Sequence, residues 1–262
     1  MIFNLGGLKP SFEGGGQNKL LASHHSCQGV HYMLGKISTG SCCIDKKLDG
    51  GISPETITMI YGEPETGKTT LAIQCAANSA LMGLKTLFVD CDNTFAPERL
   101  KQITRKNFSQ VAEQIILIKP ADFYEQTVLV DNMADYLSKS FGLVVIDTFN
   151  SLYRAKISDS PSKCTFSINR ELNRQMAVLA QTTRTQHVPI IVTSQVKAVF
   201  DQPTLNVAPV ATRVLQFWAD EVIALQPTET PQLVRAVLEK NHNPQEANCY
   251  LRIGQTGIHD NE

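Results

Sequence analysis

Gly62-Glu63-Pro64-Glu65-Thr66-Gly67-Lys68-Thr69 follows the spacing G-x-x-x-x-G-K-S/T without a gap, and no other stretch restricts the fold of this chain as strongly. Thr56 to Tyr61 ahead of it is apolar and β-branched and predicts a strand; Leu71 to Met82 behind it predicts a buried helix.

A strand, a glycine loop and a helix in this order make a phosphate-binding device. The glycines let the backbone curl so that successive N–H groups converge, and the helix start adds its positive dipole end. The loop residues Gly62, Glu63, Pro64, Glu65, Thr66 and Gly67, with Lys68, Thr69 and Thr70 opening the helix, form the candidate nucleotide-binding set. Lys68 is placed to reach the β and γ phosphates of a nucleoside triphosphate, and the Thr69 hydroxyl to ligate Mg²⁺. Such a site needs a second metal anchor, usually an Asp closing an apolar strand. Leu143-Val144-Val145-Ile146-Asp147 supplies one in Asp147. Asp92, just past the second strand at Leu84 to Asp90, is the candidate for activating water beside the γ phosphate.

The remainder of the chain bounds the setting. Its 262 residues suffice for one large α/β domain with appendages, and 42% hydrophobic and 19% charged residues match ordinary globular composition. No apolar run nears the roughly 20 residues that span a bilayer, and no basic region followed by an apolar segment marks a secretory signal, so a cytoplasmic location is expected. The seven cysteines form no C-x-x-C pair and read as reduced thiols, with Cys75 in the buried helix and Cys91 after a strand. His24, His25, Cys27 and His31 match no zinc spacing. A net charge of −1 gives no global signature of a nucleic-acid binder, so any DNA binding must come from local, salt-sensitive patches.

Residues 1–33 lack both the 3.6 and the 2 period and are expected to form a disordered arm ahead of a core over 34–262. Met33 stands directly before the first patterned sequence and is expected to be the true initiator, which intact-mass analysis of the native protein decides. Strands are predicted at Leu84 to Asp90, Glu113 to Ile118, Leu143 to Asp147 and Val188 to Thr193. Helices are predicted from Pro97, over Asp122 to Ser140 with Val128, Met133 and Leu137 inward, and over Phe166 to Gln186 with a core stripe of Leu172, Met176 and Leu179. Thr148 to Lys163 and Val196 to Pro209 read as loops. Ala211 to Ala219 reads as a helix. Glu221 to Leu225, Leu233 to Lys240 and Asn248 to Ile253 read as antiparallel strands extending a parallel sheet. The alternation predicts a doubly wound α/β core whose ligands bind beyond the C-terminal strand ends.

Several stretches in one order resemble the RecA-fold recombinase family: Ile37-Ser38-Thr39-Gly40-Ser41, the phosphate loop, Phe88-Val89-Asp90 with Thr94-Phe95-Ala96-Pro97-Glu98-Arg99-Leu100, the strand ending at Asp147, Ser151-Leu152-Tyr153-Arg154, and Thr193-Ser194-Gln195-Val196. The likeness runs from about Ile37 to Ile258, including Val237-Leu238-Glu239-Lys240 to Pro244, and is strongest to the short archaeal paralogues that lack the helical N-terminal domain of the main recombinase RadA.

The resemblance implies a RecA-like P-loop NTPase core, mostly parallel and flanked by helices, with antiparallel strands at the C-terminal end. It implies ATP and Mg²⁺ as cofactors, DNA and a main recombinase such as RadA as partners, and leaves self-association open. In its terms Lys68 and Thr69 hold phosphate and Mg²⁺, Asp147 holds Mg²⁺ through water, Arg99 stacks on adenine, and Gln195 senses the γ phosphate. Lys68, Asp92 and Gln195 are then the catalytic set. The loops after the Asp147 and Gln195 strands face DNA with Arg154, Lys156, Lys163 and Lys197, while Lys240 and Pro244 approach a neighbouring subunit's nucleotide.

The chain departs from the family pattern in places. Active recombinases carry Glu where this chain has Asp92; Met1 to Lys36 contains no F-x-x-A filament segment; and Val196 to Pro209 is shorter and less basic than the second DNA loop of a recombinase. The expectation is an ATP-binding accessory protein of DNA repair and homologous recombination that binds DNA weakly and hydrolyses ATP slowly. The alternatives are an autonomous DNA-dependent ATPase and recombinase, and a KaiC-like ATP switch that does not act on DNA.

Overall fold

Residues 35–195, 210–240 and 247–261 are described by the computed structural model. The N-terminal arm with Met33, the 196–209 segment with Lys197, and Pro244 lie outside the described residues.

Ser41 opens α1 (Cys42–Lys47), its hydroxyl accepting the Ile44 amide at 3.1 Å. Ile52 then returns to bridge Ile37. Strands and helices follow in alternation: β1 (Ile57–Gly62), α2 (Lys68–Leu81), β2 (Lys85–Asp90), α3 (Pro97–Thr104), α4 (Phe108–Gln114), β3 (Ile115–Ile118), α5 (Phe123–Asp131), α6 (Met133–Tyr136), β4 (Phe141–Asp147), α7 (Ser151–Asp159), α8 (Thr165–Gln186) and β5 (Ile190–Gln195). The C-terminal part adds α9 (Val210–Trp218), β6 (Glu221–Pro227), β7 (Leu233–Lys240), β8 (Ala247–Gly254) and β9 (Gly257–Asp260).

The strands form one sheet in the order β3-β2-β4-β5-β1-β6-β7-β8-β9, parallel from β3 to β6 and antiparallel from β6 to β9. All seven residues of β4 are buried, because helices cover both faces of the parallel part. α2, α3 and α4 pack on one face with Leu71, Ile73, Leu100 and Val111. α5, α8 and α9 pack on the other, and the Leu172, Met176 and Leu179 stripe lies wholly inside. Parallel strands end at one edge, so Gly62, Asp90, Asp147 and Gln195 share that edge.

The structure corrects several expectations. Thr148 to Lys163 is no loop: α7 and a short 3-10 turn at Ser162–Cys164 fill it, because Tyr153 and Ile157, four apart, dock on the core and the Tyr153 hydroxyl donates to Asn169 Oδ1 at 2.6 Å. The helix expected from Asp122 to Ser140 is two, α5 and α6. Asp122 caps the first through the Glu125 amide at 2.8 Å, and the Asn132 side chain donates back to the Val128 carbonyl at 2.7 Å where it ends. Val128 is therefore 37% exposed rather than inward, while Met133 and Leu137 are buried. Glu113 and Gln114 complete α4, whose Phe108, Val111 and Ala112 pack at helical spacing, so β3 starts at Ile115. β6 runs parallel to β1, since α9 returns the chain to the same sheet end, and reversal begins only at β7.

The expectation that every cysteine is a reduced thiol is also corrected. Cys43 of α1 and Cys249 of β8 form a disulfide with Cα atoms 5.9 Å apart across 206 residues, a separation no local pattern announces. Cys42, Cys75, Cys91 and Cys164 are free, and burial pushes the Cys75 thiol up. A bond closing so long a loop restricts the unfolded chain strongly, and its loss costs about 2–5 kcal/mol. Cys249→Ser is expected to lower the thermal midpoint by about 5–15 °C. Reduction of the wild type should match it, and scanning calorimetry with and without reductant checks both; equal midpoints would contradict the stabilising role.

Candidate functional site

β1 delivers the chain to Gly62 at the sheet edge. A Cβ there would lie 2.2 Å from the Leu225 carbonyl oxygen of β6, so only glycine lets the loop leave at this point. Gly67 precedes α2 at φ +88, a left-handed conformation that favours glycine. The helix has no side-chain cap, which leaves its opening amides directed into the loop. A cavity of about 220 Å³ lies here, lined by Glu65, Gly67, Lys68, Thr69, Thr70 and Ile253.

Lys68 is buried, and its Nζ donates to the Glu63 carbonyl at 2.5 Å. Burial lowers its pKa, opposed by the negative charges of Asp147, Asp92 and Glu63. A buried ammonium held against the glycine loop, with carboxylates nearby, suits a polyanion carrying a cation. Asp92 is half-buried just after β2, and its charge reaches that ammonium.

Asp147 closes β4 fully buried. Its Oδ2 accepts the Thr69 hydroxyl at 2.8 Å and the Thr94 hydroxyl at 3.3 Å, and the Thr193 hydroxyl donates to Oδ1. Burial raises its pKa; the three hydroxyls work against that, and neighbouring Asp90 adds to it. Thr69 and Asp147, expected from the sequence as the metal pair, are thus in direct contact. Among the described residues no group of three or more His, Cys, Asp or Glu side chains gathers as a metal site. A cation here would rest on this carboxylate, this hydroxyl and the ligand's own oxygens.

Asp90, Thr94 and Thr193, which lie in stretches that carry the family resemblance but are given no role by it, join the site. Asp90 lies beside Asp147 in the sheet register, pairs with Lys119 at 3.2 Å and accepts the Thr94 and Phe95 amides at 2.9 and 3.2 Å, which folds the segment carrying Asp92. For Asp90 and Thr193 a signal exists, since polar residues closing apolar parallel strands gather at one edge.

Gln195 ends β5 in register with Gly62, and its Oε1 accepts from Arg154 of α7 at 3.5 Å. Arg99 of α3 reaches the β8–β9 turn, donating to the Gly254 and Gln255 carbonyls at 2.9 Å each, next to the cavity-lining Ile253. Arg154, Lys156 and Lys163 are exposed on α7 and the turn before α8. The Lys240 ammonium donates to the Ala219 carbonyl of its own chain.

A family model described as Rad51 matches residues 31–261. The DNA repair and recombination protein RadB of Thermococcus onnurineus is 35% identical over 228 residues, covering 86% of this chain and 97% of that protein. The RadB of Thermococcus kodakarensis is 35% identical over 230 residues, covering 86% and 100%; that of Methanothermobacter thermautotrophicus is 33% identical over 220 residues, covering 82% and 92%. A solved structure, the crystal structure of the RadB recombinase, matches with a TM-score of 0.73 at 35% identity, covering 86% of this chain and 100% of that one.

Proposed function

The chain belongs to the Rad51 family, in its RadB branch, and from that premise we propose that it is an ATP-binding accessory protein of DNA repair and homologous recombination, which binds DNA weakly, hydrolyses ATP slowly and assists a main recombinase of the RadA type. One observation carries the reading: Lys68, Thr69 and Asp147 meet around an uncapped glycine loop at the edge where four parallel strands end. ATP with Mg²⁺ supplies the triphosphate and the cation that shields it.

The chain's own residues do the rest. The loop amides and Lys68 hold phosphate oxygens. The Thr69 hydroxyl and Asp147 hold the cation, Asp147 through water, with Thr193 and Thr94 orienting the carboxylate. Arg99 stacks on the adenine from the β8–β9 side. Asp92 orients the attacking water, and its short side chain keeps turnover low. Gln195 senses the γ phosphate, and its contact with Arg154 gives α7 a share in that response. Arg154, Lys156, Lys163 and Lys197 contact DNA phosphates.

Titrating labelled single-stranded DNA with and without ATP and Mg²⁺, at two salt concentrations and with phosphate release measured in parallel, tests this reading. Nucleotide-dependent binding that weakens with salt, together with feeble release, is expected. Strong DNA-stimulated release would favour an autonomous recombinase. Absence of binding at low salt would leave an ATP switch unconnected with DNA.

A further inference from the structure

We infer that Phe166 is a stacking platform for an unpaired base, set among cations that take the flanking phosphates, and that it makes the nucleic-acid surface selective for single strands. The inference rests on the DNA-binding reading above and adds the class of nucleic acid.

Phe166 is 78% exposed, the highest exposure among the large apolar side chains left at the described surface. This phenyl ring, on the first turn of a 22-residue helix, belongs to neither hydrophobic cluster of the described residues. Its surroundings separate it from the next most exposed rings, Tyr124 and Phe217. Tyr124 stands among Asp122, Glu125 and Asp131, and Phe217 meets the Trp218 ring. Phe166 stands among cations. Lys163 stands three residues before it, in the turn that leads into α8, and Arg170, four after, shares its side of the helix. α7 brings Arg154 and Lys156, and the Tyr153 to Asn169 hydrogen bond fixes α7 against α8 at the residue preceding Arg170.

These charges are available. Lys156, Lys163 and Arg170 enter no ion pair among the described residues. The acidic side chains of the two helices are Asp159 and Glu171, and Arg174 takes Glu171. Further along α8 the same side is used internally: Asn173 accepts the Trp218 indole N–H at 2.9 Å, and Arg174 also binds Asp131. Unpaired cations and the most exposed ring of the described surface therefore coincide over the opening of α8.

Charge complementarity selects a polyanion, and the ring selects which kind. A duplex keeps its bases paired and offers mainly phosphates to such a surface, whereas a single strand offers phosphates and a π-face together. Stacking on one aromatic side chain is sequence-tolerant and accounts for about ten- to a hundredfold in affinity.

The test compares wild type, Phe166→Ala and Phe166→Trp in the full chain, against a single-stranded oligonucleotide containing 2-aminopurine and against the matching duplex. Phe166→Ala should weaken single-strand binding about tenfold or more, keep duplex binding within about twofold, and lose the change in 2-aminopurine emission. Phe166→Trp should restore the affinity and add an indole signal quenched by the single strand. Because the ring is exposed, the thermal midpoint serves as a folding control for both variants. An unchanged single-to-duplex ratio in Phe166→Ala, or no rescue by Trp, overturns the platform while leaving DNA binding intact. Loss of binding to a RadA-type recombinase in Phe166→Ala, with DNA selectivity unaltered, overturns it in favour of a protein contact. Wild type that binds no DNA at low salt fails the wider reading as well.

Discussion

Lys68→Ala is expected to abolish measurable retention of ATP while leaving the fold in place. The Lys68 ammonium is buried beside the loop and is the cation on which the charges of Asp147, Asp92 and Glu63 act. Removing it leaves the triphosphate facing those carboxylates with only the loop amides and its own magnesium for support. Truncating one partner of a buried, hydrogen-bonded charge pair costs about 2–5 kcal/mol, or roughly 30- to several-thousand-fold in affinity. The fold loses little, because the side chain's direct partner is the Glu63 carbonyl within its own loop. Equilibrium binding of a fluorescent ATP analogue, with a thermal scan as the folding control, measures both. An unchanged affinity would mean that the phosphates lie elsewhere.

Asp92→Glu is expected to raise turnover. In the recombinases that this chain resembles a Glu stands at this position, and one methylene separates the two carboxylates by about 1.5 Å. A misplacement of about 1 Å costs on the order of a hundredfold in rate, so restoring reach should return about ten- to a hundredfold in steady-state phosphate release. The segment that presents Asp92 is already shaped by Asp90, which accepts the Thr94 and Phe95 amides, so the longer side chain starts from a fixed backbone. Affinity for ATP should change little, because the role proposed for Asp92 is to orient the attacking water rather than to anchor the phosphates. Wild-type turnover matching that of a full recombinase would contradict the account, as would a variant no faster than wild type.

Much of this site is legible in the amino-acid sequence alone. β1, the glycine loop and α2 follow from a spacing that only one local geometry satisfies, and Asp147 from its place at the end of a strand apolar throughout. What escapes depends on distant contacts. α7 carries too few apolar residues to show a period, and it is helical because Tyr153 finds Asn169 and a core built from other elements. β9 is four residues with glycine and histidine among them, and its pairing with β8 makes it a strand. The direction of β6 depends on where α9 returns the chain. The Cys43–Cys249 bond joins residues at opposite ends of the sequence. Asp90 resembles an ordinary strand end, and its part in holding the Asp92 segment emerges only beside Asp147 and Lys119.

A crystal structure with a nonhydrolysable ATP analogue and Mg²⁺ tests the central claim most directly. It should place the triphosphate against the amides of the Gly62 to Thr69 loop, with Lys68 Nζ moved from the Glu63 carbonyl to phosphate oxygen and the cation between the Thr69 hydroxyl and Asp147. An analogue bound elsewhere, or Asp147 turned from the cation, would contradict it.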